Sequence, residues 1–481
     1  MSGSDLPPPG DPPTTVGRHP DDQSRTVAFP EGALNGGCYL EGSGSPQQTA
    51  LLHSWCVEWA EAGYSFCYIH PGGPEPRDLI ARLPEDRLDD VVWIDLIRDL
   101  PDEFDVPTEK RVTLDPFDVP RRYTTAWRSP DEITEFNAND TRLNTFLAAY
   151  REHYHCDWSV ARTLAVALQA ILADECDAKD LRFALSDVAG MESIDPLTDL
   201  SAFVRGDSGT SQIEAACNRS PIDLYRAANL LGTMWEPFTG NPFVGEASYR
   251  SGEAMLNDHI VIVSASLPRA EAQRGDPQIP LVGTHLLAAT VCSQFLESAH
   301  YRPDPFPTVP LVLDGVEDLA AGPGDLIREV VRHSRGTPLA PVLSGPPSTD
   351  LDDPLPLAIS DYVDTEVVLA EVHPTGRSNR GGDRPAAESD RGSSIPKSLM
   401  SGSMDALERY FEAELSGVVA EGALCWLKTD TPGVLVGLDD LDAPTQPAIP
   451  STAPPPERDP AAVGDVIRHS VETFGVETPW Q

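Results

Sequence analysis

Short apolar runs in this chain end at polar turns and alternate with stretches of helical spacing, and that alternation constrains the fold more than any single residue. Tyr39-Leu40 leads into a Gly/Ser turn, and residues 51–62 follow with apolar positions on one helical face. Tyr64-Ser65-Phe66-Cys67-Tyr68-Ile69 is strand-like and stops at His70-Pro71-Gly72-Gly73. The pattern returns at 91–95, at 258–265 with a helical stretch at about 283–299, at 310–314, and at 339–344 after the helical run 327–335. Strands that alternate with helices form a mostly parallel sheet with helices on its faces, so the expected class is α/β.

The first turn carries the most chemistry. Tyr39-Leu40-Glu41-Gly42-Ser43-Gly44-Ser45-Pro46-Gln47-Gln48-Thr49 has the place and length of a phosphate-binding loop, G-x-x-x-x-G-K-[ST], between a strand and a helix. Such a loop needs a lysine that reaches the β/γ-phosphates and a hydroxyl that holds magnesium, because phosphoryl transfer is mostly positioning and charge stabilisation. Here Glu41 opens the loop, Pro46 replaces the second glycine, and Gln47 and Gln48 stand at the lysine and hydroxyl positions. Proline also removes a backbone N–H from the phosphate cradle. Gly42, Ser43, Gly44, Ser45, Gln47, Gln48 and Thr49 are therefore the candidate nucleotide contacts of a loop that has lost its charge.

The order of the following landmarks resembles the type IV secretion and conjugation coupling ATPases of the FtsK/HerA class. In that family the second strand ends in a D-P-x-G-D turn. A helix, an I-P-x-x-R-x-D-D-V run, a strand ending in Asp and an N-P-F or N-P-L turn come next. This chain has His70-Pro71-Gly72-Gly73-Pro74, then Leu83-Pro84-Glu85-Asp86-Arg87-Leu88-Asp89-Asp90-Val91, then Trp93-Ile94-Asp95 and Asp115-Pro116-Phe117. Pro310-Leu311-Val312-Leu313-Asp314-Gly315 is similar to the Walker B strand. The resemblance makes Asp314 the magnesium-site carboxylate and puts Gly315 where the family has the glutamate that orients the attacking water. Glu317 stands two residues on. Arg335, at the end of the 327–335 stretch, resembles the arginine that precedes the sensor strand, and Ser344-Gly345 stands where the family has Thr-Gln. Beside these roles stand plainer ones: Asp314 as a loop cap and Arg335 as a helix-end cation.

The resemblance implies a RecA-like P-loop core with an all-helical insertion, with ATP and magnesium as the cofactor pair. The changed loop, base and sensor positions together imply a subunit that does not hydrolyse nucleotide. Its implied partners are further copies or an intact homologous ATPase, with DNA entering through the resemblance alone. A slow ATPase using Asp314 and an Arg335 supplied in trans, and an interaction protein without nucleotide, remain alternatives.

Charge sets the environment. Acidic residues number 76 against 35 basic, a net charge of −41, and only Lys110, Lys179, Lys397 and Lys428 are lysines. With 40% hydrophobic residues and acids spread along the whole chain, this composition points to a folded protein in molar salt, where the Debye length is about 3 Å and self-repulsion is screened. No basic stripe with interleaved aromatics marks a nucleic-acid surface. The eight cysteines show no C-x-x-C pair and read as reduced core residues. His153-Tyr154-His155-Cys156 lacks the second ligand pair of a zinc site. No run of 18 apolar residues is present, so the expected location is cytoplasmic, with membrane association only through a partner.

The expected organisation follows from composition and periodicity. Residues 1–28 read as a disordered Pro-rich tail and 29–128 as the first part of the core. A helical insertion is expected at 129–235 and the second core part at 236–443, with a flexible loop at about 376–394, a helix at 403–415 and a hairpin-like return at 422–436. A linker at 444–460 precedes a C-terminal helix within 461–481.

Overall fold

The computed structural model describes residues 7, 10–19, 22–42, 46–96, 104, 106–107, 110–115, 247–265, 278–300, 306–319, 325–345, 359, 363–371, 423–429, 445–451, 454–456 and 458–477. In chain order these form β1 (Thr15–His19), β2 (Asp22–Ala28), β3 (Cys38–Glu41), α1 (Pro46–Glu61), β4 (Phe66–His70), α2 (Glu75–Ile80), β5 (Val91–Asp95) and β6 (Lys110–Arg111). Then come α3 (Ala254–Asn257), β7 (Ile260–Ser264), α4 (Gln278–His300), β8 (Val309–Asp314), α5 (Val316–Leu319), α6 (Asp325–Ser334) and β9 (Leu339–Gly345). The chain continues through β10 (Thr365–Glu371), β11 (Ala423–Thr429), β12 (Thr445–Pro450), α7 (Pro460–Phe474) and β13 (Val476–Glu477).

One eleven-stranded sheet, in the order β2-β1-β12-β11-β10-β3-β9-β8-β4-β7-β5, organises these elements. From β10 to β5 every pair is parallel. Strands β3, β5, β7, β8 and β9 are buried along their whole length, as expected of a parallel sheet covered on both faces. Strand β9 lies between β3, which leads into the Gly/Ser turn, and β8, which ends in Asp314; β10 flanks β3 and β4 lies beyond β8. That is the strand order of a RecA-like P-loop core, as the sequence led us to expect.

Helix α1 starts at Pro46, whose fixed φ suits the first helical position. It ends in a Schellman turn: Tyr64 N donates to Trp59 O, Gly63 N donates to Ala60 O, and Gly63 supplies φ +83°. Its Trp55 and Trp59 join Phe66, Tyr68, Leu40 and Val312 in the core.

Three expectations are corrected. Residues 15–28 are not a loose tail but the hairpin β1–β2. Glu58 of α1 accepts from Thr15 N at 2.7 Å and from Thr15 Oγ1 at 2.8 Å, while Trp55 Nε1 donates to Thr15 O and Trp59 Nε1 to Thr14 Oγ1. The proposed linker holds β12, which pairs with β1 and β11. Strand β11 returns along β10 rather than on itself. Local composition missed them because what holds them lies far away in sequence: Glu58 and β12 for β1, β1 for β12, and β10 for β11.

The helix expected near the C-terminus is α7, capped by Asp459 Oδ1, which accepts from Ala462 N. It covers the edge strand β5, where Ser470 Oγ accepts from Trp93 N at 2.8 Å, and so blunts an otherwise open edge. The expected insertion at 129–235, the loop at 376–394, the helix at 403–415 and the His153–Cys156 cluster lie outside the described residues. Among the described residues no helix is long and apolar enough to cross a membrane.

Candidate functional site at the carboxyl edge of the sheet

Ligands of open parallel sheets bind at the carboxyl ends of the strands. Here five neighbouring strands finish in register on polar residues. Ser344 pairs with Asp314, and His70 and Asp95 both pair with Ser264; Ile69 beside Leu313 brings His70 level with Asp314. The turn after β3 opens onto the same edge. Of its candidate contacts, Ser43, Gly44 and Ser45 lie outside the described residues. Gln47 is exposed, Thr49 half-buried and Gln48 buried.

Gln48 is the side chain turned into the site. Its Nε2 donates to Ser344 Oγ at 2.8 Å and lies 3.1 Å from Leu40 O and 3.2 Å from Gly345 O. Gly345 O also accepts from Gly42 N at 3.0 Å. A Cβ on Gly42 would stand 2.5 Å from Gln48 Oε1, so this loop glycine leaves room for an amide of the chain itself.

Asp314 is buried, and its Oδ2 accepts from the Tyr68 hydroxyl at 2.7 Å. Burial first, and then the Asp314 charge, hold the Tyr68 phenol well above its ordinary range, so it remains a donor. His70 Nε2 stands 3.8 Å from the same oxygen. His70 Nδ1 accepts from Gly72 N at 3.1 Å, which leaves the ring proton on Nε2, the nitrogen facing Asp314. The carboxylate that would hold magnesium thus has its donors built into the chain.

Gly315 follows with φ +78°, in the left-handed region, and its N–H donates to Ser344 O at 3.1 Å. A Cβ there would meet Pro71 Cγ at 3.0 Å and Cδ at 3.2 Å. A glutamate at 315 would need an unfavourable backbone and displacement of Pro71. Glu317, two residues on, brings Oε2 to 3.4 Å from where a Cβ on Gly345 would be, which places it at the end of β9. Among the described residues two features stand against ATP with magnesium: the amide of Gln48 fills the space beside Gly42, and the Asp314 carboxylate accepts from tyrosine. Among the described residues, no group of three or more His, Cys, Asp or Glu is arranged to hold a metal.

Arg335 lies elsewhere. It follows α6 and precedes β9, at the opposite end of the strands from Asp314, and its exposed guanidinium pairs with Asp364 at 3.0 Å. Within one chain the two candidate catalytic residues are not brought together. The cysteine reading holds for Cys38, Cys56, Cys67 and Cys292, which are buried free thiols whose pKa burial pushes up.

Sequence reasoning missed His53. It packs edge-on against Tyr68 at 5.7 Å, is 3% exposed, and its Nε2 has no hydrogen-bond partner among the described residues. Burial, then the charges of Arg82 and His70, push its pKa down to about 3. A histidine depressed in the folded state contributes stability above its unfolded pKa of about 6.5, and that contribution is lost as pH falls from 6.5 towards 3. By pH 5 the expected loss is about 2 kcal/mol at constant salt. Denaturant titrations at pH 7 and pH 5 should show that loss in the wild type and a smaller one in His53→Phe. Equal losses in both would refute the assignment.

No family model matches the chain, and no curated protein matches it. Among solved structures, the plasmid coupling protein TrwB in complex with ADP and Mg2+ is similar at a TM-score of 0.42 and 14% identity, over 71% of this chain and 71% of that one. TrwB in complex with a non-hydrolysable ATP analogue gives 0.41 and 14%, over 69% and 70%. The trigonal form of the bacterial conjugative coupling protein TrwBΔN70 in complex with sulphate gives 0.40 and 14%, over 70% of each chain.

Proposed function

We propose that this chain is a non-hydrolysing P-loop-fold subunit of a conjugative or viral DNA-transfer assembly, working beside an intact homologous ATPase in a salt-rich cytoplasm. The ordered set of turns and strand ends supports the family, and the RecA-like strand order agrees with it. Gly315 is the observation that carries the loss of catalysis. Its positive φ and the closeness of Pro71 disfavour a glutamate there, which supports a change built into the surrounding backbone. Losing that group and the loop lysine removes both nucleophile orientation and charge stabilisation. Arg335, exposed at the far end of the strands, is the group such a subunit would offer a neighbour.

The test is an ATPase assay on the purified protein in molar KCl with magnesium and ATP, with and without DNA. Turnover at background is expected. A rate above background that vanishes in Asp314→Asn would overturn the proposal in favour of a slow ATPase with a rearranged site.

A further inference from the structure

We propose that Gln48 is an internal clasp that closes the loop site without nucleotide, a proposal that rests on the non-hydrolysing reading and deepens it. Helix α1 and strands β3 and β9 converge on one side-chain amide. Its two N–H groups are shared among Leu40 O at the end of β3, Ser344 Oγ and Gly345 O at the end of β9. A P-loop protein that binds nucleotide holds these elements through the ligand's phosphates. Here they are held by a side chain.

Two further observations carry the idea beyond the contact itself. Gly42 follows Glu41 at the loop opening, and the space beside it is taken by Gln48 Oε1, 2.5 Å from where a Cβ would be. The glycine serves the clasp. In addition, Gly42 N and Gln48 Nε2 both donate to Gly345 O, so backbone and side chain close the same joint between β3 and β9. Asp314 is closed in parallel by Tyr68, which takes up the carboxylate a metal would otherwise use. Among the described residues Gly42 N, Gln48 and Asp314 are thus paired from within, which is the condition for a subunit whose conformation ignores the nucleotide state of its neighbours.

Amide hydrogen exchange on the full chain in molar KCl tests the clasp. In Gln48→Ala, exchange at the Gly42 amide should rise at least about tenfold, because Leu40 O, Ser344 Oγ and Gly345 O lose a buried donor and local opening becomes easier. Gln48→Met, of similar length but without a donor, should behave alike, and Glu61→Ala at the exposed end of α1 should match wild type. Millimolar Mg–ATP added to wild type should leave the Gly42 rate unchanged. Unchanged exchange in both Gln48 variants, or slowing of wild-type exchange by Mg–ATP, would overturn the clasp. Turnover by wild type would instead sink the non-hydrolysing reading, so the two failures are distinguishable.

Discussion

Arg87→Ala should cost about 4 kcal/mol of folding stability. Arg87 is 8% exposed, and its Nη1 lies 3.3 Å from both Ala60 O in the last turn of α1 and Tyr64 O just beyond it. Its Nη2 donates to Asp258 O and its Nε to Asp90 Oδ2, each at 2.8 Å. Asp258 has φ 57° and turns the chain from α3 into β7, so one side chain joins the end of α1 to the start of a central strand. Hydrogen bonds to a charged group are worth about 1.5–3 kcal/mol each, and truncation withdraws that donor from three carbonyls at once. The contributions are not additive, hence the intermediate figure. Arg87→Lys should recover less than half, because a single ammonium cannot span the same fork. Urea titrations in molar KCl measure this, and a loss below about 1 kcal/mol in Arg87→Ala would show that the network carries little. The R-x-D-D run that resembles a family signature is explained here by architecture, with Arg87 holding helix, turn and strand together.

Gly315→Glu, the change that restores the residue type of an active enzyme, should lower stability by about 2–3 kcal/mol and yield no ATP turnover. A non-glycine residue at φ +78° costs about 1–2 kcal/mol, and the new Cβ, 3.0 Å from Pro71 Cγ, requires the proline to shift. Gly315→Ala isolates the backbone part, so the glutamate should cost no less than alanine does. The missing lysine and the closed Gln48 site remain, which is why hydrolysis does not return. Denaturant titration and the ATPase assay together decide. A Gly315→Glu protein as stable as wild type would show that the turn adapts freely, and one that hydrolyses ATP would show that the glutamate alone was lacking.

The alternation of apolar runs and helical stretches was sufficient to read the α/β class, the strands that end in Asp95, Asp314 and Ser344, and the helix that became α7. These are local properties: a run of apolar residues that ends in a polar one is the same run whatever packs around it. Sequence also determined that the loop itself carries no lysine, since Gln47 and Gln48 stand where the motif has its lysine and hydroxyl. Only the tertiary structure decided which of the two glutamines faces inward, because the first turn of α1 exposes Gln47 and buries Gln48 against β9, a strand nearly 300 residues away. Separation in sequence likewise hid the Tyr68–Asp314 bond and the anchoring of β1 by Glu58, and only the folded core shows that His53 Nε2 has no hydrogen-bond partner among the described residues. The bonded partners are distant in sequence and become neighbours only when the sheet and its helices come together. Strand ends and lost charges are written along the chain, whereas the satisfaction of a buried polar group is a property of the space the folded sheet encloses.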